Sequence, residues 1–545
     1  MSQPPPVPEG RTHTDPPEAD SWEDPDQRSP GERAEDQPQR ATRTRRWGML
    51  AGVVGALLVY WLMPGDAPAA ARVTAGTAVL MGIWWMTEAI PIPATALIPL
   101  VVFPVVGGAD IADVGASYGS DIIFLFMGGF ILALAMQRWN LHRRIALVTV
   151  RAMGTNPAMV IAGFMVATGF LSMWVSNTAT AVMMLPIGVS VLMLVVGLED
   201  EPDLADAARA EAGGGDTTEA KGENPPEQAV LKTNFGSALM LGIAYAASIG
   251  SLGTIIGTPP NTLLVGYLSK NHDIDIGFGQ WMLVGVPLSV VFMVICWFLL
   301  TKVIFRPEID EIPGGRSLMS RELDKLGPMS TGEKGVLTIF VLAAASWVGV
   351  PLIWPDNTPI SDAGIAMVVA VVLFLLPAGA ARGVRLLDWE SAVQLPWGVL
   401  LLFGGGLALS GQFESSGLTE WIGDQAKGLD GVPVILLVVI FGAAIIFLTE
   451  LTSNTATAAT FLPVAGGVAL GLDLDPMLLA IPVALAATCA FMLPVATPPN
   501  AIAFGSGYVT IPQMMKGGIW LNLIGLALVT VTVMTLAVWV FSITY

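Results

Sequence analysis

The sequence predicts an all-α polytopic membrane protein with about eleven transmembrane helices, two re-entrant hairpins and two inverted repeats. Three observations predict this fold class. Of the 545 residues, 53% are hydrophobic and only 13% are charged, and the mean hydropathy is +0.66. Many segments of about twenty residues carry almost no charge, and a helix of that length crosses the hydrocarbon core of a bilayer, which is roughly 30 Å thick. Finally, the string Ser-Asn-Thr-Ala-Thr occurs twice, at residues 176–180 and 453–457.

Two hydrophilic segments lie outside the apolar part of the chain. Residues 1–46 are rich in Pro, Asp, Glu and Arg, and residues 198–232 interrupt the first half of the chain. Such compositions bury too little apolar surface to offset the entropy lost on ordering. We therefore expect a disordered acidic tail and a solvated insertion, both cytoplasmic. They hold much of the net charge of −18, and we expect no nucleic-acid partner.

The apolar part of the chain divides into spans and two stretches that contain the repeated motif. The predicted spans are residues 47–64, 70–88, 91–107, 121–138, 233–256, 281–303, 333–353, 361–378, 396–411, 477–495 and 517–543. Residues 155–197 and 433–471 each hold one Ser-Asn-Thr string near the middle, and their flanks are short for two full crossings. We expect a re-entrant hairpin in each, because irregular backbone at membrane depth is tolerated only where it is buried or lines a cavity.

The basic residues predict the orientation of the spans. Four arginines within residues 40–46 precede the first span, which places the N-terminus in the cytoplasm. The loops on that side should then be rich in Lys and Arg, and they carry Arg138, Arg143, Arg144, Arg151, Lys302, Arg306, Arg316, Arg321, Lys325, Arg382, Arg385 and Lys516. The opposite loops hold mainly aspartates, and the C-terminus falls outside. This distribution predicts a multi-pass protein of the inner (plasma) membrane.

The spacing of matched motifs predicts the two repeats. Asn177 and Asn454 are 277 positions apart, as are two diglycine motifs. Each Ser-Asn-Thr string is followed by a Thr-Pro-Pro-Asn string, and these are only 239 positions apart because the insertion lengthens the first repeat. An odd number of spans in each half places the halves in opposite orientation. The expected segments are a tail (1–46), a first transmembrane helix (47–69), repeat 1 (70–303), a cytoplasmic linker (304–332) and repeat 2 (333–545).

The Ser-Asn-Thr strings combine neutral oxygens with N–H and O–H donors and carry no fixed charge. Neutral oxygens suit a small hard cation, and the donors suit an anion that is bound and then released. Ser172 and Ser176 are four residues apart, as are Thr449 and Ser453, so each pair shares a helix face if the segment between them is helical. Polar residues in apolar helices more often serve as packing contacts. Two copies in register favour a binding site instead.

The Thr-Pro-Pro-Asn strings are expected to break their helices. Proline removes backbone donors, so carbonyls at Gly257 and Ala496 become free to bind a cation. The N-terminus of the following half-helix directs its positive end at an anion. Matched broken helices beside matched hairpin tips are typical of the binding site of a secondary transporter.

Four segments carry a family resemblance: WWMTEAIPIPATALIPLVVFPVVG, PWGVLLLFGGGLALS, LTSNTATAATFLP and ATPPNAIAFGSGYVTIPQMMKGGIWLNLIG. From about residue 47 onwards the chain resembles the divalent anion:sodium symporters, the di- and tricarboxylate transporter family. The resemblance implies a homodimer, an elevator-type mechanism and two sodium ions around one dianion. By motif, one sodium would be held by Ser172, Ser176, Asn177 and Gly257, and the other by Thr449, Thr452, Asn454 and Ala496. The dianion would meet Asn177, Thr178, Thr258, Asn454, Thr455 and Thr497.

The two tips also bear on the substrate. Each supplies an amide and a hydroxyl, which suits a ligand with a carboxylate at each end, so succinate, malate or fumarate is the leading hypothesis. Two or more co-transported Na+ would offset the charge of the dianion. The alternatives are sodium-independent dicarboxylate exchange and sodium-coupled transport of sulfate or citrate. No Lys or Arg stands beside either tip, which favours symport over exchange.

A few other residues are candidates for chemistry. Residues 115–119 match a Gly-x-Ser-x-Gly pattern, but they lie in a predicted loop without a histidine partner, so we expect no enzyme activity. A channel, the third class, would not accumulate its substrate against a gradient. Glu450 follows a predicted sodium ligand within an apolar run, where an acid would tune the site or couple a proton. Glu88 precedes a proline near a span end and is expected to be an interfacial anchor.

Overall fold

The computed structural model describes residues 39–65, 67–196, 233–309, 311–312, 315–354 and 358–544. Within these ranges the chain is helical and contains no strand beyond one isolated bridge between Pro377 and Arg385. The predicted tail up to residue 38 and the predicted insertion at 198–232 lie outside the described residues.

The described residues of the first half of the chain form twelve α-helices. They are α1 (Gln39–Leu62), α2 (Ala69–Thr87), α3 (Ile92–Thr95), α4 (Pro99–Val102), α5 (Ile111–Ala116), α6 (Asp121–Arg138), α7 (Leu141–Ala152), α8 (Pro157–Ser172), α9 (Asn177–Val196), α10 (Asn234–Ser251), α11 (Pro259–His272) and α12 (Phe278–Phe298). A helix α13 (Gly315–Lys325) lies within the predicted linker.

The described residues of the second half, from Thr331 onwards, form eleven α-helices. Its helices are α14 (Thr331–Ile353), α15 (Asp362–Leu375), α16 (Trp389–Ala392), α17 (Trp397–Ser415), α18 (Leu418–Ala426), α19 (Val434–Thr449), α20 (Asn454–Gly471), α21 (Met477–Ala487), α22 (Pro498–Gly505), α23 (Ile511–Thr532) and α24 (Val538–Phe541).

The described part of the chain has four helical segments that are long and apolar enough to cross a membrane. They are Ile111–Arg138, Phe278–Ile304, Thr331–Ile353 and Ile511–Phe541. A fifth is added if the segments Leu418–Leu429 and Val434–Thr449, which meet at a bend of 119°, form one span. The fold is therefore that of an all-helical, multi-span membrane protein. Three of the other predicted spans, 91–107, 361–378 and 477–495, coincide with shorter apolar helices.

The predicted and observed boundaries differ where prolines and polar motifs interrupt the helices. The predicted span 91–107 consists of α3, α4 and a π-helical turn, because Pro93, Pro99 and Pro104 lack the amide donors of a continuous helix. The predicted span 477–495 is helical only as far as Ala487. The first helix begins at Gln39 and so extends the first predicted span toward the N-terminus.

Two helix pairs form the predicted hairpins. α8 and α9 pack against each other and are joined by residues 173–176, and α19 and α20 pack against each other across residues 450–453. Each connection holds the start of one Ser-Asn-Thr string. Helices of 16 and 20 residues in the first hairpin, and of 16 and 18 residues in the second, bring both tips into the interior of the bundle.

α10 and α21 form the centre of the molecule. Every residue of α21 is buried, as is every residue of α10 from Phe235 to Ser251. α10 packs on the first hairpin and α21 on the second. The half-helices that follow cross over, since α11 packs on α20 and α21 while α22 packs on α9 and α10. Helices from the two halves of the chain are thereby interleaved around the hairpin tips.

The matched diglycines mark a second crossing between the repeats. A Cβ on Gly128 of α6 would lie 2.7 Å from the backbone oxygen of Ala366 in α15. A Cβ on Gly405 of α17 would meet the backbone of Ala96, directly after α3. Each glycine therefore permits a helix of one repeat to approach a segment of the other repeat closely, and any larger side chain would separate them.

Candidate functional site

The tips of the hairpins contain the end of one helix and the start of the next. α8 ends at Ser172 and α9 begins at Asn177, whereas α19 ends at Thr449 and Ser453 is the N-cap residue of α20. The prediction that each hydroxyl pair shares a helix face was therefore wrong. The residues between the paired hydroxyls form turns, because the helix must end before the next one begins. The opening of the helix leaves the oxygens at each tip free for other partners.

The first tip brings three oxygen atoms together. Ser172 Oγ lies 2.7 Å from Asn177 Oδ1 and 2.6 Å from the carbonyl oxygen of Ala247 in α10. The hydroxyl has one proton and can donate it to only one of these acceptors. Asn177 Nδ2 donates to Ser251 Oγ at 3.3 Å, which fixes the amide with its oxygen toward Ser172. Ser172 is fully buried.

The second tip repeats this arrangement with different side chains. Thr449 Oγ1 lies 2.7 Å from Asn454 Oδ1 and 3.1 Å from the carbonyl oxygen of Ala487 in α21. Thr449 is also fully buried. The position that matches Ser251 is Ala490, which has no hydroxyl, so the Asn454 amide lacks the bond that fixes its counterpart.

Each cluster has more acceptors than protons. The hydroxyl can donate its one proton to only one of the two neighbouring oxygens. Its lone pairs then face the lone pairs of the other oxygen, and this buried contact is unfavourable without a compensating charge. A small cation placed among them would relieve this repulsion, and hydroxyl, amide and carbonyl oxygens are the ligands that hard cations take. The sequence could not show the carbonyls of Ala247 and Ala487, because a backbone ligand has no side-chain signature.

The first broken helix is held open by Asn261 of the Pro-Pro-Asn string. α10 ends at Ser251, and α11 begins at Pro259. Asn261 Nδ2 donates to the carbonyl of Thr254 at 2.9 Å, with longer contacts to those of Ser251 and Leu252. A buried amide thus replaces the helical donors that the break removes. The sequence predicts the break, but it gives no indication of this role for the Asn261 side chain.

The second broken helix is held in the same manner by Asn500. Its Nδ2 donates to the carbonyls of Ala490 and Leu493, both at 3.1 Å. These carbonyls match those of Ser251 and Thr254 in the first repeat. Asn261 and Asn500 are both fully buried, and the Oδ1 atom of each has no hydrogen-bond partner among the described residues. The match between the repeats therefore extends from the motifs to individual hydrogen bonds.

Four helix N-termini meet the tips and the breaks: those of α9, α11, α20 and α22. Thr258 Oγ1 lies 3.4 Å from Thr488 Oγ1, so the start of α11 contacts the break of the other repeat. Thr497 Oγ1 accepts the amide of Asn500 and caps α22. Helix N-termini carry free N–H groups and a partial positive charge, and they attract anions. The arrangement thus combines two oxygen clusters, which are suited to cations, with donors that are suited to an anion.

The remaining predicted residues lie around these clusters. Ser176 accepts the amide of Ala179, Thr178 is exposed, Thr455 is half-buried, and Gly257 and Ala496 are buried in the breaks. The Thr452 hydroxyl donates to the carbonyl of Leu448 at 3.0 Å and lies 2.7 Å from Thr457 Oγ1. The structure therefore does not bring this hydroxyl into the second cluster, which leaves only its backbone for a cation.

The Gly-x-Ser-x-Gly pattern has no catalytic arrangement around it. Ser117 is buried in a short 3₁₀ turn, where its hydroxyl accepts a hydrogen bond from Lys270. His142 contacts the carbonyl of Met136, and His272 contacts the hydroxyl of Tyr267. Across the described ranges, no group of three or more His, Cys, Asp or Glu side chains is placed to hold a metal ion.

Comparison with known proteins gives a match over almost the whole chain. The family model described as "Sodium:sulfate symporter transmembrane region" matches residues 43–543. The chain is 42% identical over 454 residues to the sodium-dependent dicarboxylate transporter SdcS of Staphylococcus saprophyticus, which covers 83% of each protein. It is 42% identical over 495 residues to the transporter of the same name from Staphylococcus aureus (strain USA300), covering 89% of this chain and 91% of that one.

Solved transporter structures are more distant. The YdaH transporter of Alcanivorax borkumensis has a TM-score of 0.46 and 12% sequence identity, covering 90% of this chain and 97% of that one. The antimetabolite efflux pump MtrF of Neisseria gonorrhoeae has a TM-score of 0.47 and 12% identity, covering 87% of this chain and 97% of that one.

Proposed function

The chain belongs to the sodium:sulfate symporter family, and from this premise we propose that it is a sodium-coupled transporter of a C4-dicarboxylate such as succinate, malate or fumarate. Relatives at 42% identity are named sodium-dependent dicarboxylate transporters, and the protein is a transporter rather than an enzyme. The observation that carries the proposal is the matched pair of buried oxygen clusters, centred on Ser172 and Thr449, beside four helix N-termini.

The chemistry of the clusters explains the coupling. A dicarboxylate dianion brings two negative charges into a site without fixed positive charge, and two sodium ions neutralise it. A third ion would leave one surplus charge, which gains about 2.3 kcal/mol per 100 mV of membrane potential. Because the anion donors and the cation clusters share the tips, each ligand favours the arrangement that binds the other.

We assign the ligands by combining the motifs with these contacts. The first sodium is held by Ser172, Ser176, Asn177 and Gly257, and the second by Thr449, Thr452, Asn454 and Ala496, with Thr452 contributing its backbone. The dianion meets Asn177, Thr178, Thr258, Asn454, Thr455 and Thr497. The contact between Thr258 and Thr488 supports a single anion position between the two repeats.

The proposed topology has eleven spans, two inverted repeats, a cytoplasmic N-terminus and an external C-terminus, in the inner membrane. Ion pairs that join segments predicted to be cytoplasmic support it. Arg138 pairs with Asp388, and Arg143 Nη2 lies 2.9 Å from Glu322 Oε2. Hydrogen bonds from the backbone of Ser391 and from Arg138 lower the pKa of Asp388 to about 2, so this pair stays charged at neutral pH.

The interleaved helices support an elevator-type movement in a homodimer. The two hairpins pack on α10 and α21, and the crossed half-helices α11 and α22 tie these elements together. The site is therefore enclosed in one unit that is suited to move as a body. The exposed apolar side chains of α1, α14 and α15, among them Trp61, Leu352 and Val371, are available to lipid and to a second subunit.

Uptake of radiolabelled succinate into proteoliposomes tests the function. An inward sodium gradient should drive accumulation above equilibrium, and potassium in its place should not. Uptake that requires internal dicarboxylate and ignores sodium would show exchange instead. Sodium-driven uptake of sulfate, which the family description names, without uptake of succinate would replace the substrate and keep the coupling. No accumulation of any of these anions would refute the proposal.

A further inference from the structure

Glu450 is a buried carboxylate directly after Thr449 at the second tip. It is 3% exposed. Its Oε1 atom accepts hydrogen bonds from the amides of Phe491 (2.8 Å) and Met492 (2.9 Å), and its Oε2 atom accepts the amide of Leu493 (3.0 Å). Asn522 of α23 adds a fourth donor, since its Nδ2 lies 2.7 Å from Oε1. One carboxylate therefore binds three successive peptide groups of the broken helix.

The same broken helix also contacts Asn500 and, through Ala487, the second oxygen cluster. The carbonyls of Ala490 and Leu493 accept the amide of Asn500, and the carbonyl of Ala487 contacts the Thr449 hydroxyl. The segment thus lies between the carboxylate of Glu450 and the polar groups of the site. A peptide group directs its N–H and C=O in opposite directions, so the carboxylate that holds the amide of Phe491 also sets the direction of the Ala490 carbonyl, which accepts the amide of Asn500.

The first repeat makes the corresponding link without a charge. The residue that matches Glu450 is Met173, whose carbonyl accepts the hydroxyl of Thr254 at 2.5 Å. The indole of Trp281 donates to the carbonyl of Leu252 at 3.1 Å. Both breaks are tied to their hairpin, but only the second is tied by a carboxylate. The difference places a fixed negative charge beside one cation cluster and none beside the other.

We propose that Glu450 is a positioning residue for the second cation cluster: it ties the hairpin tip at Thr449 to the broken helix at residues 491–493, so that a sodium ion binds between them, and its charge favours that ion over an empty cluster. This inference rests on the proposed sodium coupling. A glutamine at this position would turn an amide toward a backbone donor and lose at least one of the four bonds. A cation at the second cluster would then bind more weakly, while the first cluster would be unaffected.

Sodium titrations of the purified full-length protein test this inference without transport. The readout is the sodium concentration that gives half of the thermal stabilisation, with potassium held as the balancing ion and no dicarboxylate present. Glu450→Gln should raise this concentration by about tenfold, because the lost carboxylate charge attracts the ion only in the sodium-bound state. Thr254→Val, which removes the uncharged link of the first repeat, is the matched comparison.

Two backgrounds separate positioning from a general loss of structure. In Ser172→Ala, where the titration reports mainly the second cluster, Glu450→Gln should keep its full effect. In Thr449→Val, where that cluster is already impaired, its further effect should be small, since residues that share one site are not additive. Equal effects in both backgrounds would indicate a merely structural role and overturn the inference.

Other outcomes of the sodium titrations would also support or overturn the inference on Glu450. If wild-type protein gains no stability from sodium, the sodium sites and this inference both fail. If it gains stability and Glu450→Gln titrates like wild type, the inference alone fails. Should Glu450→Gln not fold, Asn522→Ala removes a single donor to the carboxylate, and an unchanged sodium titration in that variant would overturn the inference. A several-fold rise in the sodium concentration that gives half of the thermal stabilisation, confined to the second cluster, would support the inference.

Discussion

Removal of the Ser172 hydroxyl is the most direct test of the cation clusters. This hydroxyl is the only proton donor in the first cluster, where it lies 2.7 Å from Asn177 Oδ1 and 2.6 Å from the Ala247 carbonyl. Ser172→Ala changes the cluster in two ways. Without sodium it loses one hydrogen bond, and with sodium the ion loses one ligand.

The size of the effect follows from the difference between these losses. A neutral hydrogen bond contributes about 1 kcal/mol net, and one that involves a charge contributes roughly 1.5–3 kcal/mol. The variant should therefore weaken sodium binding by about 0.5–2 kcal/mol, which corresponds to about 2- to 30-fold. The sodium-bound state is affected more, because the ion interacts with the oxygen through a full charge.

The assay is succinate uptake into proteoliposomes as a function of external sodium. Ser172→Ala should raise the sodium concentration for half-maximal uptake by the stated factor. Ser190→Ala is the matched control, because it removes a hydroxyl from α9 that bonds only to the carbonyl of Pro186. Thr449→Ser should remain close to wild type, since the two repeats already use Ser and Thr at matched positions.

An unchanged sodium dependence in Ser172→Ala, with the protein folded and present in the liposomes, would refute the cation assignment. A lower maximal rate at an unaltered half-saturating sodium concentration would have the same meaning. The hydroxyl would then serve only to pack α8 on α10.

Three further predictions concern the scaffold around the site. Asn500→Ala should lower the unfolding free energy in detergent by about 2–4 kcal/mol, because it leaves buried carbonyls without donors and opens a cavity; a shift in melting temperature checks this. Burial alone would raise the pKa of Glu322, but its cationic partners Lys325 and Arg143 lower that pKa below its usual value. The stabilisation is therefore present above the unfolded-state pKa and is lost as the pH falls through the folded-state pKa. Between about pH 5 and pH 3 the melting temperature of wild type should fall more than that of Glu322→Gln. Gly250→Ala should destabilise by about 1–3 kcal/mol, because its Cβ would meet the backbone of Gly169, whereas Gly119→Ala, with open space around it, should not.

Much of the architecture could be predicted because it follows from the lengths of the apolar segments and from the positions of the repeated polar motifs. The hairpins at residues 155–197 and 433–471 and the breaks before the Pro-Pro-Asn strings are visible in this manner. Proline and a run of polar residues interrupt a helix for local reasons, so no long-range contact is needed to foresee them.

The atomic composition of the site could not be predicted, since it depends on contacts between distant segments. Ala247 and Ala487 contribute through their backbone, and an alanine in an apolar run gives no signal of this. The contacts of the Thr452 hydroxyl could not be predicted for a related reason. Its motif position places Thr452 near the tip, but its hydroxyl donates to the carbonyl of Leu448 and lies 2.7 Å from Thr457 Oγ1.

The unequal support of the two clusters bears on the order of binding. The first cluster is fixed by neutral contacts, with Asn177 oriented by Ser251, so its geometry exists before any ion arrives. The second lacks that contact at Asn454 and instead has the carboxylate of Glu450 behind it. A preformed neutral site binds its ion with little rearrangement, whereas a site beside a fixed negative charge gains more from the ion itself. The two clusters share one geometry, but a sodium ion would change the second cluster more than the first. In the proposed sites, that difference would allow one ion to complete the anion site while the other is already in place.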